Sequence, residues 1–134
     1  MQGQASHFSR YATEHIEYGV KRYTNETRRL YGVLDKQLQK STSGYLVGDK
    51  CTIADIAHWG WVTCAGWAGV DIDEFPALKA WDDRMLARPG VEKGRHVPDY
   101  HGIKELLKDP VKMKELAEKS RAWVQQTMAT DAKK

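Results

Sequence analysis

From Ile16 onward, apolar and small side chains fall at Ile16, Val20, Tyr23, Thr27, Leu30, Leu34 and Leu38. Steps of three and four residues trace one face of an α-helix. Glu17 and Lys21, four apart in the favourable order, suit its wet side. Ser41-Thr42-Ser43-Gly44 is turn chemistry and predicts an end near Lys40. Tyr45 to Lys50 reads as a short extended loop. Thr52 to about Ala68 reads as a second helix, apolar on nearly every side, and Ile56 through Val70 holds no Asp, Glu, Lys or Arg. That run is shorter than the roughly 20 apolar residues a membrane span needs, so it predicts the central helix of a helical core. Pro76 suits a first helical position. Leu78, Trp81, Met85 and Leu86 share one face of that third helix, which should stop at Arg88-Pro89-Gly90. His101 to Lys108 and Val111 to Met128 are two more helices meeting at Pro110. Val111, Leu116, Ser120, Trp123 and Thr127 lie on one side of the last. Residues 1–9 form a short helical stub, Tyr11 to His15 a connector, and 131–134 a frayed end. No segment alternates with period two. The pattern predicts an all-α fold, one helical domain over 1–134 built around a buried central helix at about 52–68.

Composition narrows the class. The 134 residues are 41% hydrophobic and 29% charged, the mix of one globular domain rather than of a disordered or collagen-like chain. The net charge of +3 is spread evenly, with 8 basic and 6 acidic groups in residues 1–67 and 13 and 12 in residues 68–134. Without a basic patch, no nucleic-acid partner is expected. Two cysteines, Cys51 and Cys64, form neither a disulfide framework nor a CxxC motif and fit a reducing, cytoplasmic setting. The opening MQGQASHFSR has no apolar core after a basic start and does not read as a signal peptide. No membrane association is expected.

Candidate chemistry is sparse. Thr52 and Asp55 have the spacing of a capping box, in which the Thr52 hydroxyl and the Asp55 carboxylate each accept an otherwise orphaned N–H at the helix start. Cys51 and Ile56 flank it as a hydrophobic staple. This role is structural, and an acid–base pair of Asp55 with His58 is the lesser alternative because the cap consumes Asp55. His96, Asp99 and His101 share one loop but fit no zinc spacing, so no metal is expected. Trp59, Trp61, Trp67, Trp81 and Trp123 recur at helical positions and read mostly as core.

Four segments carry a family likeness. GDKCTIADIA (48–57) resembles the start of helix six in glutathione transferases, and FPALKAWDDRMLARPGV (75–91) resembles a later stretch of the same domain. GQASHFSRYA and YGVKRYTNETRRLYGVLD resemble the branch that holds bacterial disulfide-reductase-type (nu-class) transferases and fungal nitrogen-regulator-like transferases. The likeness runs from Met1 to about Val97. Residues 98–134 look like a fungal-type C-terminal helical extension.

The resemblance implies the all-α half of a two-domain protein whose other half, an N-terminal thioredoxin-like domain, holds the thiol-activating group. No catalytic residue is therefore expected in this chain, and the chain alone is expected to be inactive. Arg22 matches an arginine that reaches bound glutathione in nu-class relatives, and a guanidinium fork suits a carboxylate. Gln4 and His7 lie where the family lines its interdomain cleft, and Phe8 and Trp59 are candidates for the apolar substrate wall. Glutathione would be a co-substrate rather than a tightly bound cofactor, with a hydrophobic electrophile or a disulfide as its partner in the reaction. An apolar face left for the other half predicts a homo-oligomer. The alternative is a non-catalytic, transferase-like interaction module.

Overall fold

The computed structural model describes residues 1–132. The frayed end expected at 131–134 is helical at Asp131, and Lys133 and Lys134 lie outside the described residues. The order is α1 (Gln2–Ser6), a π-helical turn (His7–Tyr11), α2 (Glu17–Lys40), α3 (Ile53–Val62), two 3-10 turns (Ala65–Ala68 and Ile72–Glu74), α4 (Pro76–Leu86), α5 (Pro89–Gly94), α6 (Ile103–Leu106) and α7 (Pro110–Asp131). Among the described residues there is no strand, so the fold is all-α as the periodicity predicts. No helix among them is long and apolar enough to cross a membrane.

The core collects Tyr31 and Leu38 from α2, Leu46 from the loop, Val62, Ala65 and Val70 from the α3 region, and Leu78, Trp81 and Met85 from α4. On α2 the buried stripe runs through Thr27, Tyr31, Asp35 and Leu38, while Leu30 is exposed. It therefore turns about one residue away from the face marked by the apolar positions. The cause is polar. Asp35 is buried and its Oδ1 accepts the backbone N–H of Leu78 at 2.9 Å, while Oδ2 accepts from Gln39 Nε2 at 2.6 Å. The cap residue of α4, Phe75, offers no side-chain acceptor of its own. A carboxylate on one helix thus caps the N-terminus of another and satisfies a donor that would otherwise be orphaned.

The segment expected as one buried helix over 52–68 is broken and half open. α3 ends at Val62, and a separate 3-10 turn follows, closed by Gly69 in the left-handed region at φ 75°. Only Asp55 and Val62 are buried within α3, whereas Ile53 is 84% and Trp61 59% exposed. Apolar periodicity marks which side chains avoid water but not which element covers them. The tryptophans show the same limit: Trp81 is fully buried, but Trp123 is 68% exposed. On α7 the half-buried line is Met113, Ala117, Ser120 and Val124, and the expected face with Val111 and Leu116 looks outward. Pro89 opens a short helix rather than closing one, as its missing N–H allows at a first helical position.

The capping box forms as its spacing predicts. Asp55 Oδ2 accepts the N–H of Thr52 at 2.9 Å, and Thr52 Oγ1 accepts the N–H of Ala54 at 3.2 Å. The staple does not form in the expected way: Ile56 is exposed, and Cys51 turns its sulfur toward Met85 Sδ at 3.9 Å. Asp55 also does more than cap. Its Oδ1 accepts the N–H of Leu46 at 2.9 Å and the indole N–H of Trp81 at 2.8 Å. One fully buried carboxylate so joins the loop, the start of α3 and the centre of α4.

Candidate functional site

Of the expected ligand-site residues, Gln4 falls on α1, His7 and Phe8 on the π turn, Arg22 on α2 and Trp59 on α3. Ala5 and Ser6 bury the inner side of α1, leaving Gln4 exposed on the outer side. The next five residues wind as a π-helix, with the N–H of Ala12 donating to the carbonyl of His7 at 2.9 Å, five residues back. Turns of this kind are rare and concentrate at functional sites. Phe8 leaves this turn to stack on Tyr23 of α2, with centroids 5.4 Å apart and planes 9° from parallel. His7 meets the Phe8 ring edge-on at 5.3 Å. The Phe8 ring lies directly on the α2 backbone at Gly19, where an added Cβ would sit 2.6 Å from Phe8 Cδ1.

Arg22 follows on the exposed side of α2, its guanidinium 6.0 Å from the Tyr23 ring centre. It borders an open depression of about 660 Å3 that also takes in Tyr18, Lys21, Glu26 and Arg29. The cations there are unequal. Lys21 pairs with Glu17 at 2.6 Å. Arg29 spends its fork on Glu26 through two bonds of 2.8 Å, and the bond from Arg29 holds the Glu26 carboxyl below its ordinary range. Arg22 has no carboxylate within ion-pair distance among the described residues, and its charge acts on Glu26 only at longer range. The structure thus brings His7, Phe8, Tyr23 and Arg22 into one row. Trp59 is apart from this arrangement in kind: it packs against the core cluster, with its indole N–H buried and unpartnered among the described residues.

A second concavity went unmarked in the sequence. A groove of about 370 Å3 runs between α2 and α3, walled by Leu30, Val33, Leu34 and Trp61. Tyr31 and Gln2 line it with polar atoms: the phenol donates to Gln2 Oε1 at 2.6 Å, and Gln2 Nε2 donates to the carbonyl of Trp61 at 2.7 Å. Burial pushes the Tyr31 phenol well above its usual range, so it stays a neutral donor. Met1 lies at the border of both the groove and the Arg22 depression. The uncharged run 56–70 was the available signal for this groove, since a helix apolar all round needs cover on every side.

His58 does not join Asp55 in an acid–base pair; its Nδ1 lies 2.8 Å from the carbonyl of Ala54 on the exposed side of α3. His96 and His101 hold no metal-like cluster among the described residues. Instead His96 stacks on Tyr100 at 4.5 Å and accepts the N–H of His101 at 3.1 Å.

Comparison with known proteins accords with the all-α fold. The family model described as Glutathione S-transferase, C-terminal domain, matches residues 12–89. The disulfide-bond oxidoreductase YfcG of Escherichia coli is 43% identical over 89 residues, covering 66% of this chain and 40% of that protein. A glutathione transferase homologue from Lodderomyces elongisporus, solved with two glutathiones per subunit, superposes with a TM-score of 0.69 at 43% identity, over 72% of this chain and 46% of that one. The glutathione transferase YghU from Streptococcus pneumoniae, solved with glutathione, gives 0.65 at 34% identity, over 73% and 40%. The chain spans less than half the length of each of these relatives. It belongs to the glutathione S-transferase family, and what it holds is that family's all-α C-terminal domain.

Proposed function

We propose that this chain is the substrate-binding and assembly half of a glutathione transferase. Arg22 anchors a glutathione carboxylate, Gln4 and His7 contact the peptide from the first helix and its π turn, and Phe8 and Trp59 contribute apolar wall. The observation that carries the reading is the Arg22 guanidinium, in no ion pair among the described residues, beside the Phe8–Tyr23 stack. The solved relatives that hold glutathione supply the ligand class. Conjugation to a hydrophobic electrophile, or reduction of a disulfide, would use a thiolate, and lowering a thiol pKa requires a donor aimed at sulfur. We assign no catalytic residue to this chain. Glutathione is a co-substrate in this reading and leaves no tightly bound cofactor or metal to seek. Calorimetric titration with glutathione is expected to show binding that Arg22→Ala weakens about tenfold or more, the loss of a charge-assisted bond. Equal heats in the two proteins, or none in the wild type, would remove Arg22 as the anchor.

The second part of the proposal is assembly. A compact monomer of 15.3 kDa exposes about 7,100 Å2, whereas this chain exposes 8856 Å2. The excess is about twice what one partner contributes to a standard protein interface. The groove and the open side of α3 supply an apolar place for it, and a homo-oligomer is the expected state of the chain in solution. Light scattering at micromolar concentration should report at least a dimer, and Trp61→Glu should lower the mass to the monomer; a wild-type monomer refutes this. The free, half-buried Cys51 and Cys64 support a reducing, cytoplasmic location. The open apolar groove is also what a non-catalytic interaction module would use, and glutathione binding separates the two readings.

A further inference from the structure

Residues 98–132 lie beyond the segment 12–89 that the family model matches, yet, besides the contacts of Arg95 and His96 with Tyr100 and His101, both α6 and α7 fasten them to the rest. From α6, Lys104 Nζ reaches Asp82 Oδ2 at 2.6 Å, where Asp82 is almost fully buried. Leu107 lies against the bare backbone of Gly66, so closely that an added Cβ would sit 3.0 Å from Leu107 Cδ1. From α7, Arg121 Nε donates to the carbonyl of Arg10 at 2.9 Å, and Gln125 Nε2 donates to the carbonyl of Tyr11 at 2.9 Å. Those carbonyls belong to the last turn of a helix, which has no partners of its own for them.

The same two residues are also held through their side chains. Arg10 Nε donates to the carbonyl of Trp67 at 2.5 Å and Nη2 to that of Gly66 at 3.3 Å, with the guanidinium 4.3 Å over the Trp67 ring. Trp67 Nε1 donates to the Tyr11 hydroxyl at 2.8 Å. Arg10 and Tyr11 therefore sit in a grip. One jaw is α7; the other is the Gly66–Trp67 turn on which Leu107 presses.

We propose that the α6–α7 extension is a strap that positions His7 and Phe8 by holding the turn between His7 and Tyr11 in its π form. A π turn contains one residue more than the α turn it replaces, and losing that residue rotates the chain on one side of it by about 100°. Docking of α7 at Arg10 and Tyr11 favours the wider turn, and with it the direction in which His7 and Phe8 leave the helix beside Arg22. Arg121 and Gln125 are positioning residues, acting through the backbone they hold. Where the row binds glutathione, a part that rests on the function proposed above, ligand occupancy and strap docking raise each other by the same factor.

Hydrogen exchange tests the strap without any ligand. In the double variant Arg121→Ala/Gln125→Ala, the amides of residues 7–12 are expected to exchange about tenfold faster, as befits two lost side-chain-to-backbone bonds. Amides of α4 should keep their wild-type rates. The NMR ring resonances of Phe8 and Tyr23 should shift as their stack loosens, and Arg121→Lys, which keeps a donor, should recover most of the protection. Unchanged exchange at 7–12, or an equal rise across α4, overturns the proposal. Glutathione is titrated separately into the wild type. Absence of binding there sinks the assignment of Arg22 as anchor and leaves the exchange result to decide the strap.

Discussion

Asp55→Ala is expected to destabilise the domain by about 3–5 kcal/mol, read from urea denaturation followed by circular dichroism. The side chain is fully buried and accepts from three separate places: the N–H of Thr52, the N–H of Leu46 and the indole of Trp81. Loss of an N-terminal cap alone costs about 0.5–2 kcal/mol. Each further buried donor left without an acceptor adds about 1–3 kcal/mol. Asp55→Asn should fall between, because an amide keeps the shape but turns one acceptor into a donor facing an N–H. The pH dependence follows from the same contacts. Burial pushes the Asp55 carboxyl up, but the N–H groups of Leu46 and Thr52, with Trp81 and the Thr52 hydroxyl, push it down further and leave it below its ordinary value. A carboxyl depressed by folding stabilises the fold fully above its unfolded pKa of about 3.9. That contribution is lost as pH falls through the lower, folded value. Wild-type stability should drop more steeply than that of Asp55→Asn below about pH 4, and equal slopes would remove Asp55 as the acid-sensitive group.

Trp81→Ala should be comparably severe. Trp81 has no exposed surface and is the largest fully buried side chain of the core. Truncating a buried tryptophan costs about 3–5 kcal/mol through lost burial and the cavity left behind. Here it also leaves Asp55 Oδ1 with one donor fewer. Trp81→Phe weights the second effect more heavily, since it keeps an aromatic ring and most of the volume while removing the N–H with part of the indole. Because Trp81 and Asp55 share a bond, the double variant should lose less than the two single losses added, by about 0.5–3 kcal/mol. Strict additivity in equilibrium unfolding would show that the indole bond contributes nothing.

The helix positions of α2 and α4 and the capping box were legible because each rests on local chemistry: a period of three and four, a proline at a first turn, a Thr and an Asp three apart. What was illegible was long-range and polar. Nothing near Asp35 announces that it caps a helix beginning at Pro76, and Asp55 meets Trp81 only through the tertiary fold. The site shows the same division. Arg22, Gln4, His7 and Phe8 were reached through likeness to a family, and periodicity alone would have made Phe8 simple packing. That Phe8 and His7 share a π turn, and that Tyr23 completes the row, depends on a backbone irregularity with no residue signature. The openness of α3 was hidden for another reason. A side chain that needs cover looks the same in sequence whether its own chain provides the cover or another does.

The contact of Phe8 with the α2 backbone restricts how this part of the sequence can drift. Glycine in a helix interior gives up about 1 kcal/mol against alanine, and Gly19, in the first turn of α2, gives up part of that. With Phe8 in place the step to alanine is closed, because the new atom would overlap the ring. It opens only after residue 8 has become smaller. The two positions can therefore exchange residues in one order and not in the other. A lineage that first shrinks residue 8 and then fixes alanine at 19 gains a stiffer helix, and it bars its own return to the aromatic ring.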